Sequence, residues 1–276
     1  IIASKLFLDG LGSNLYDCRF DNAKIIHNES ESYKFNSSIQ EIENADAILL
    51  VGSNPRWEAS VLNARIRKAY INNNCKVGVI GPDLDLNYPY TKISNSLSGL
   101  NDIKEKKSEF SNIFHNSKNP LIIIGTSAIN NSEGESVLKL CADIAKKLPN
   151  YSNTFNPLNI LNQDISRVGS LELGFVNKYF DKKFEESIKE NAKTNKPVVF
   201  LLGLDEIDPK NLEQAFVVYI GHHGDLNAQH ADIILPSPAY TEKTSTFMNI
   251  EGRVIQTSRC HNPLGEAKEE WKIFRV

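Results

Sequence analysis

Short, nearly continuous apolar runs punctuate the chain at Ala47 to Val51, Val77 to Ile80, Leu121 to Ile124, Val198 to Leu202, Phe216 to Ile220, and Asp232 to Leu235. They are rich in Val, Ile and Leu and do not alternate with polar residues. Runs of that kind mark strands buried on both faces, as in parallel sheets. Five end at glycine (Gly52, Gly81, Gly125, Gly203 and Gly221), and the sixth ends at Pro236. Glycine at the end of a strand allows a sharp turn and close approach by another backbone or a ligand.

Helical spacing fills the intervals. Leu62, Ile66, Ala69 and Tyr70 share one face from Ala59 to Asn73. Upstream, Asn54 reads as an N-cap, with Pro55 at the first helical position and Glu58 in the first turn. A second helix is predicted from Glu133 to Lys147, with Val137, Leu140, Cys141, Ile144 and Leu148 as its buried stripe. A third covers Gln163 to Leu171. The charged stretch from Asn101 to Asn119 reads as a surface helix. Strands alternating with helices predict right-handed βαβ units and an α/β fold with doubly wound, mostly parallel sheets. The expected division is a first α/β lobe at 1–119, a second at 120–235, and a loop and C-terminal segment at 236–276 closing over the strand ends. Asn150 to Asn159 is polar and turn-rich and reads as a linker or surface excursion. Pro236-Ser237-Pro238 halts the last strand, and Thr241 to Thr246 reads as a long ordered loop.

Composition narrows the function. The chain has 276 residues and a formal net charge of −3. With pI ≈ 6.1 it lacks the electrostatic footprint of a nucleic-acid binder. No run approaches the ~20 apolar residues that span a bilayer. Cys18, Cys75, Cys141 and Cys260 are scattered without a CxxC pair, which predicts reduced thiols and no metal or cluster site. The opening Ile1-Ile2-Ala3-Ser4-Lys5 has neither an initiator Met nor signal-peptide architecture, so a fragment of a longer subunit is expected.

The strongest local candidate is the turn Gly52-Ser53-Asn54-Pro55. It follows a strand and opens a helix, where backbone amides can hold a phosphate. Spacing alone favours a capped helix without a ligand, since helix caps are common and bound phosphates are not. No GxGxxG follows a strand, no GxxxxGK[ST] occurs, and there is no GxSxG elbow. His222 and His223 follow a strand, but adjacent residues in extended chain point to opposite sides, so loop hydrogen bonding is expected over metal binding. Cys18 beside Arg19 is either a nucleophile or a small partly buried residue.

Two longer segments carry a resemblance. One runs from Ala45 through Gly52-Ser53-Asn54-Pro55-Arg56-Trp57-Glu58-Ala59 to Asn63-Ala64-Arg65-Ile66-Arg67-Lys68. The other joins Gly221-His222-His223-Gly224-Asp225, Ala231-Asp232-Ile233-Ile234-Leu235-Pro236, Tyr240-Thr241-Glu242-Lys243 and Asn249-Ile250-Glu251-Gly252-Arg253. Together they resemble the molybdopterin oxidoreductase superfamily, of formate dehydrogenase and DMSO reductase-like fold. Their finer wording resembles the large iron–sulfur subunits of respiratory complex I, NADH:quinone oxidoreductase. The resemblance implies vestigial cofactor-binding positions at Gly52, Ser53, Asn54, Pro55, His222, Asp225, Asp232, Glu242, Asn249 and Arg253, with no catalytic residue and no metal ligand. The superfamily's metal is held by a Cys, selenocysteine or Ser after a passage like Tyr16-Asp17-Cys18-Arg19. Here no Cys follows before Cys75, and nothing supports Ser30 or Ser32.

The resemblance further implies a cofactor-free structural and interaction domain of the peripheral arm. Iron–sulfur clusters would lie in a missing N-terminal region or a partner chain, and the partners would be other peripheral-arm subunits. The location would be the matrix side of the mitochondrial inner membrane or the cytoplasmic side of the bacterial one. Alternatives are a fragment of an active molybdopterin enzyme, such as a formate dehydrogenase, and a stand-alone nucleotide-binding regulator.

Overall fold

The computed structural model describes residues 10–13, 15–26, 29–176, 184–224 and 226–275. The chain forms two compact units. One comprises Asp21–Val168 and Met248–Arg253, the other Ile1–Phe20, Gly169–Phe247 and Val254–Val276.

The first unit is built on a five-stranded parallel sheet. Its elements in chain order are β1 (Ala47–Val51), α1 (Pro55–Glu58), α2 (Ser60–Asn73), β2 (Lys76–Ile80), β3 (Thr91–Ser94), α3 (Gly99–Lys104), α4 (Glu109–Asn116), β4 (Pro120–Gly125), α5 (Gly134–Ala145) and β5 (Leu158–Leu161). The strand order is β3-β2-β1-β4-β5. β1 lies at the centre, paired in parallel with β2 (Leu49 opposite Gly78) and with β4 (Leu49 opposite Ile122). Successive side chains go to opposite faces, and both faces are apolar and covered. Ala47, Leu49 and Val51 join Ile122, Ile124 and Ile160 beneath Leu100, Phe110, Phe114, Val137, Cys141 and Ile144. Ile48 and Leu50 join Val77, Leu121 and Ile123 against Ile42, Leu62, Ile66 and Ala69. This two-sided burial explains the unbroken apolar runs.

Several expectations change in this unit. The anticipated division at 119/120 falls inside the sheet, because β4 pairs with β1 along its length. Asn101 to Asn119 forms two helices, and their Leu100, Ile103, Phe110 and Phe114 are buried. Its charges mark only the outer faces. The polar stretch 150–159 leads into a core strand, β5, whose Asn159 is fully buried. The Asn159 Oδ1 accepts from the Ser37 amide at 2.8 Å and from the Ser37 hydroxyl at 2.9 Å. Partners of that kind make a polar residue tolerable inside a sheet. The segment around Phe35 covers the edge of β5, and the Phe35 amide donates to Ile250 O at 2.8 Å. The helix after β1 is interrupted at Ala59, which has φ −153° and ψ 68°.

The second unit carries α6 (Arg167–Glu172, which begins at the end of the first unit), α7 (Phe184–Asn191), β6 (Val198–Leu202), β7 (Phe216–Gly221), α8 (Leu226–Gln229), β8 (Ile233–Pro236), the short strands β9 (Thr246–Met248) and β10 (Val254–Gln256), and α9 (Glu270–Ile273). β6, β7 and β8 form a three-stranded parallel sheet in that order. Val199, Leu201, Val217 and Tyr219 bury one face against Ile188, Ile207, Leu212 and Ala228. On the other face Val198 and Leu202 are exposed, and Phe274 rests on Phe200 with ring centroids 6.1 Å apart. The predicted loop at 241–246 is partly regular, with a 3-10 turn at Tyr240–Glu242 before β9.

Among the described residues no helix is long and apolar enough to cross a membrane.

Candidate functional site

The order β3-β2-β1-β4-β5 reverses direction between β1 and β4. In open α/β sheets the crevice beyond the strand ends at such a reversal is where ligands bind. Gly52-Ser53-Asn54-Pro55 leaves β1 at that place, and Gly125 and the 3-10 turn Thr126–Ala128 leave β4 beside it.

The turn is held by its own helix. Glu58 Oε1 accepts the Asn54 backbone amide at 3.0 Å, and Glu58 Oε2 accepts the Ser53 hydroxyl at 2.9 Å. Carboxylate bonds to a helix start are strong because the acceptor is charged and the exposed amides carry partial positive charge. Asn54, expected to cap through its side chain, makes no such bond, and its Oδ1 is buried without a partner. The Gly52 amide donates to Ile80 O at 2.8 Å. Ser127 donates its hydroxyl to Gly52 O.

Glycines bring these backbones together. Gly52 sits at φ +53°, where side chains are strained, and a Cβ on it would lie 2.7 Å from Ala128 Cβ. A Cβ on Gly125 would lie 2.3 Å from Gly52 O. The glycines at these strand ends therefore serve backbone against backbone.

The downstream candidates have local duties. Asn249 Oδ1 accepts the amides of Glu251 at 3.1 Å and Arg253 at 2.8 Å, and Glu251 Oε1 accepts the Ile39 amide at 2.7 Å. Asn249 and Arg253 thus shape a turn that fastens Met248–Arg253 to the five-stranded unit, with the Arg253 side chain exposed. Asp232 lies at the start of β8, at the opposite end of the strands from Gly221. Its Oδ2 accepts the Val217 amide at 2.8 Å. Asp46 does the same before β1, taking the amides of Lys118 at 2.7 Å and Asn119 at 2.9 Å. The repeated Ala-Asp before an apolar run is therefore a stitch between strand starts. Glu242 accepts the Ala239 amide at 3.0 Å within its own turn. His222 and His223 are exposed, stacked edge-on with centroids 4.7 Å apart. Asp225 lies outside the described residues.

Asp205 escaped the sequence reading. From the loop after β6 it accepts the Leu226 amide at 2.9 Å and the Asn227 amide at 2.7 Å, at the start of α8. An Asp twenty-one positions upstream of the helix it caps gives no local signal. The only available hint was a polar residue just beyond a strand-ending glycine, Gly203.

Residues 1–276 match the family described as molybdopterin oxidoreductase. The chain belongs to that family. The molybdopterin oxidoreductase assignment agrees with the solved acetylene hydratase of Pelobacter acetylenicus, which covers 99% of this chain and 52% of its own, with TM-score 0.62 at 15% identity. That likeness concerns fold. Among curated proteins, the NADH-ubiquinone oxidoreductase 75 kDa subunit of Reclinomonas americana is 41% identical over 89% of this chain and 35% of its own length. The 78 kDa mitochondrial subunit of Candida albicans is 42% identical over 89% of this chain and 32% of its own. The mitochondrial NADH dehydrogenase [ubiquinone] iron-sulfur protein 1 of Solanum tuberosum is 36% identical over 100% of this chain and 36% of its own. The chain spans about a third of the length of these relatives.

The family name implies a molybdopterin group, and the turn after β1 does not fit one. A phosphate-bearing ligand needs free amide donors and room for its oxygens. Here the Asn54 amide and Ser53 hydroxyl already serve a carboxylate. The Gly52 amide serves Ile80, and Ala128 and Gly125 press on Gly52 from the β4 side. A Ser ligand at position 32 is equally engaged: the Ser32 hydroxyl is buried, donates to Glu29 O at 2.7 Å and accepts the Ile26 amide at 3.0 Å. Among the described residues no group of three or more His, Cys, Asp or Glu is placed to hold a metal ion.

The thiols divide by burial. Loss of hydration pushes the Cys75 and Cys141 thiols up from 9.0 to about 12, with the Asp46 charge adding to the effect at Cys75. Both are therefore inert at neutral pH. Cys260 is exposed. Beside half-buried Cys18, the Arg19 guanidinium is bound by Asp17 at 2.7 Å.

Proposed function

We propose that this chain is the α/β domain of the large iron–sulfur subunit of a respiratory NADH:quinone oxidoreductase, and that it serves there as a structural and interaction domain of the peripheral arm. Identity of 36–42% along nearly the whole chain to subunits of that enzyme carries the reading. Electrons would pass through iron–sulfur clusters outside this chain, in an N-terminal region or a partner. The four dispersed cysteines agree with that division of labour. Its partners would be other peripheral-arm subunits, and its place the matrix side of the mitochondrial inner membrane or the cytoplasmic side of a bacterial one. On this reading Asp232, Glu242 and Asn249 are remnants of a cofactor site kept for folding, where their side chains tie down neighbouring backbone.

The test is to tag the chain in its source cells and separate the extract on a native gel. The tag should migrate with a large NADH-oxidising assembly. Migration at the mass of the lone chain, together with a fluorescent oxidised pterin in the purified protein, would overturn the proposal in favour of an active molybdopterin enzyme.

A further inference from the structure

We propose that the crevice at the β1/β4 reversal is closed from within, with the Glu58 carboxylate standing in the place of a ligand's anionic oxygens and the Gly52–Gly125–Ala128 contact taking the place of its body. The proposal deepens the cofactor-free reading above, but it rests on the geometry of this unit and not on membership of a respiratory complex.

Three observations converge. The two acceptor oxygens of Glu58 divide between a backbone amide and a hydroxyl, at 3.0 and 2.9 Å. A phosphate at a strand-to-helix turn would engage donors of the same two kinds. The helix itself places the closing residue: the Glu58 amide donates to Asn54 O at 2.9 Å, one turn from the amide its carboxylate accepts, and α1 ends directly after it at Ala59. Finally, the β4 side is closely packed against the turn. Ser127 donates to Gly52 O, and the space where Gly52 or Gly125 would carry a Cβ is filled by Ala128 and by Gly52 itself. A ligand would have to displace a bound carboxylate and also push the β1 and β4 backbones away from each other. Electrostatics opposes the first step, because an incoming phosphate would be repelled by Glu58 until it moved.

The experiment uses the full chain, labelled for amide NMR, with sodium pyrophosphate as the probe. In the wild type the Asn54 amide proton should lie downfield, as an amide donating to a carboxylate does. In Glu58→Gln the Asn54 amide proton should move upfield, and pyrophosphate at millimolar concentration should leave the Ser53 and Asn54 amides of the wild type unmoved. Glu58→Gln keeps the size and two polar atoms of the side chain, so it tests the charge even if Glu58→Ala fails to fold. An Asn54 amide proton that keeps its position in Glu58→Gln would overturn the proposal. So would saturable movement of the Ser53 and Asn54 amides with pyrophosphate. Neither result depends on whether the chain assembles with other subunits, so failure here is distinct from failure of the functional reading.

Discussion

The turn after β1 and the turn after β7 each end in a helix start held by a carboxylate, yet they are built differently. At the first, Glu58 comes from the helix it caps, and glycines press neighbouring strand ends together. At the second, Asp205 reaches from another loop to α8, and a Cβ on Gly224 would meet nothing within 4 Å. The sheets differ in the same sense. The five-stranded one is covered on both faces, while the three-stranded one leaves Val198 and Leu202 in the open. The strand-ending glycine is crowded in both cases, since a Cβ on Gly221 would lie 2.5 Å from the Tyr219 ring. The two turns part beyond it, where the first runs directly into its helix and the second passes through the exposed His222, His223 and Gly224.

The sharpest way to break the contrast is Gly125→Ala. Its backbone, at φ −82°, suits any residue, so the effect is purely steric, against the Gly52 carbonyl. The free energy of opening β1 and β4, read by hydrogen exchange, should fall by at least about 2 kcal/mol. An unchanged value would show that the strand ends are not pressed together.

Removing each carboxylate should cost less. Glu58→Ala should lower protection at the start of α1 and the end of β1 by about 1–3 kcal/mol. Asp205→Ala should lower that of α8 by about 1–2 kcal/mol. Loss of protection confined to the substituted unit is expected in both cases, and hydrogen exchange on peptides from each unit checks it.

The thiols separate the units chemically. At pH 8 an alkylating agent should modify Cys260 rapidly in the folded chain and leave Cys75 and Cys141 unmodified until the five-stranded unit opens, as mass spectrometry after timed quenching will tell. Because folding raises both thiols from 9.0 to about 12, the stability they contribute is complete below about pH 9. It declines as pH rises from there toward 12, since the unfolded chain gives up these protons first. The smallest effect belongs to Gly224→Ala. With open space at the Cβ, the melting curve should shift by no more than about 0.5 kcal/mol.

Much of the fold could be read from the apolar runs. All six became parallel strands, β1, β2, β4, β6, β7 and β8; in the five-stranded sheet burial on both faces accounts for the unbroken hydrophobic signal, whereas β6 and β8 carry the same signal with Val198, Leu202, Ile233 and Ile234 exposed. The strands that escaped notice lack that signal. β3 is an edge strand reading Thr-Lys-Ile-Ser, and β5 carries Asn159, whose partner Ser37 lies 122 positions away. The charged stretch around Asn101 to Asn119 misled because its four core residues are divided between two short helices. At the candidate site, the sequence located the turn and its glycines. It could not show that Glu58 is bound back onto Asn54, since a first-turn acid usually interacts with the helix more diffusely.

The fastening at Met248–Arg253 has a consequence for how the protein is made. All five strands of the first sheet have been translated by Leu161, yet the segment whose Ile250 meets Phe35 arrives only after the other sheet has also been translated. At ~5–20 residues per second that delay is on the order of ten seconds. Through that interval the nascent sheet would carry an unclasped flank at Phe35 and Ile39. A ribosome stalled between the two events would display a unit whose strands are complete and whose last clasp is missing.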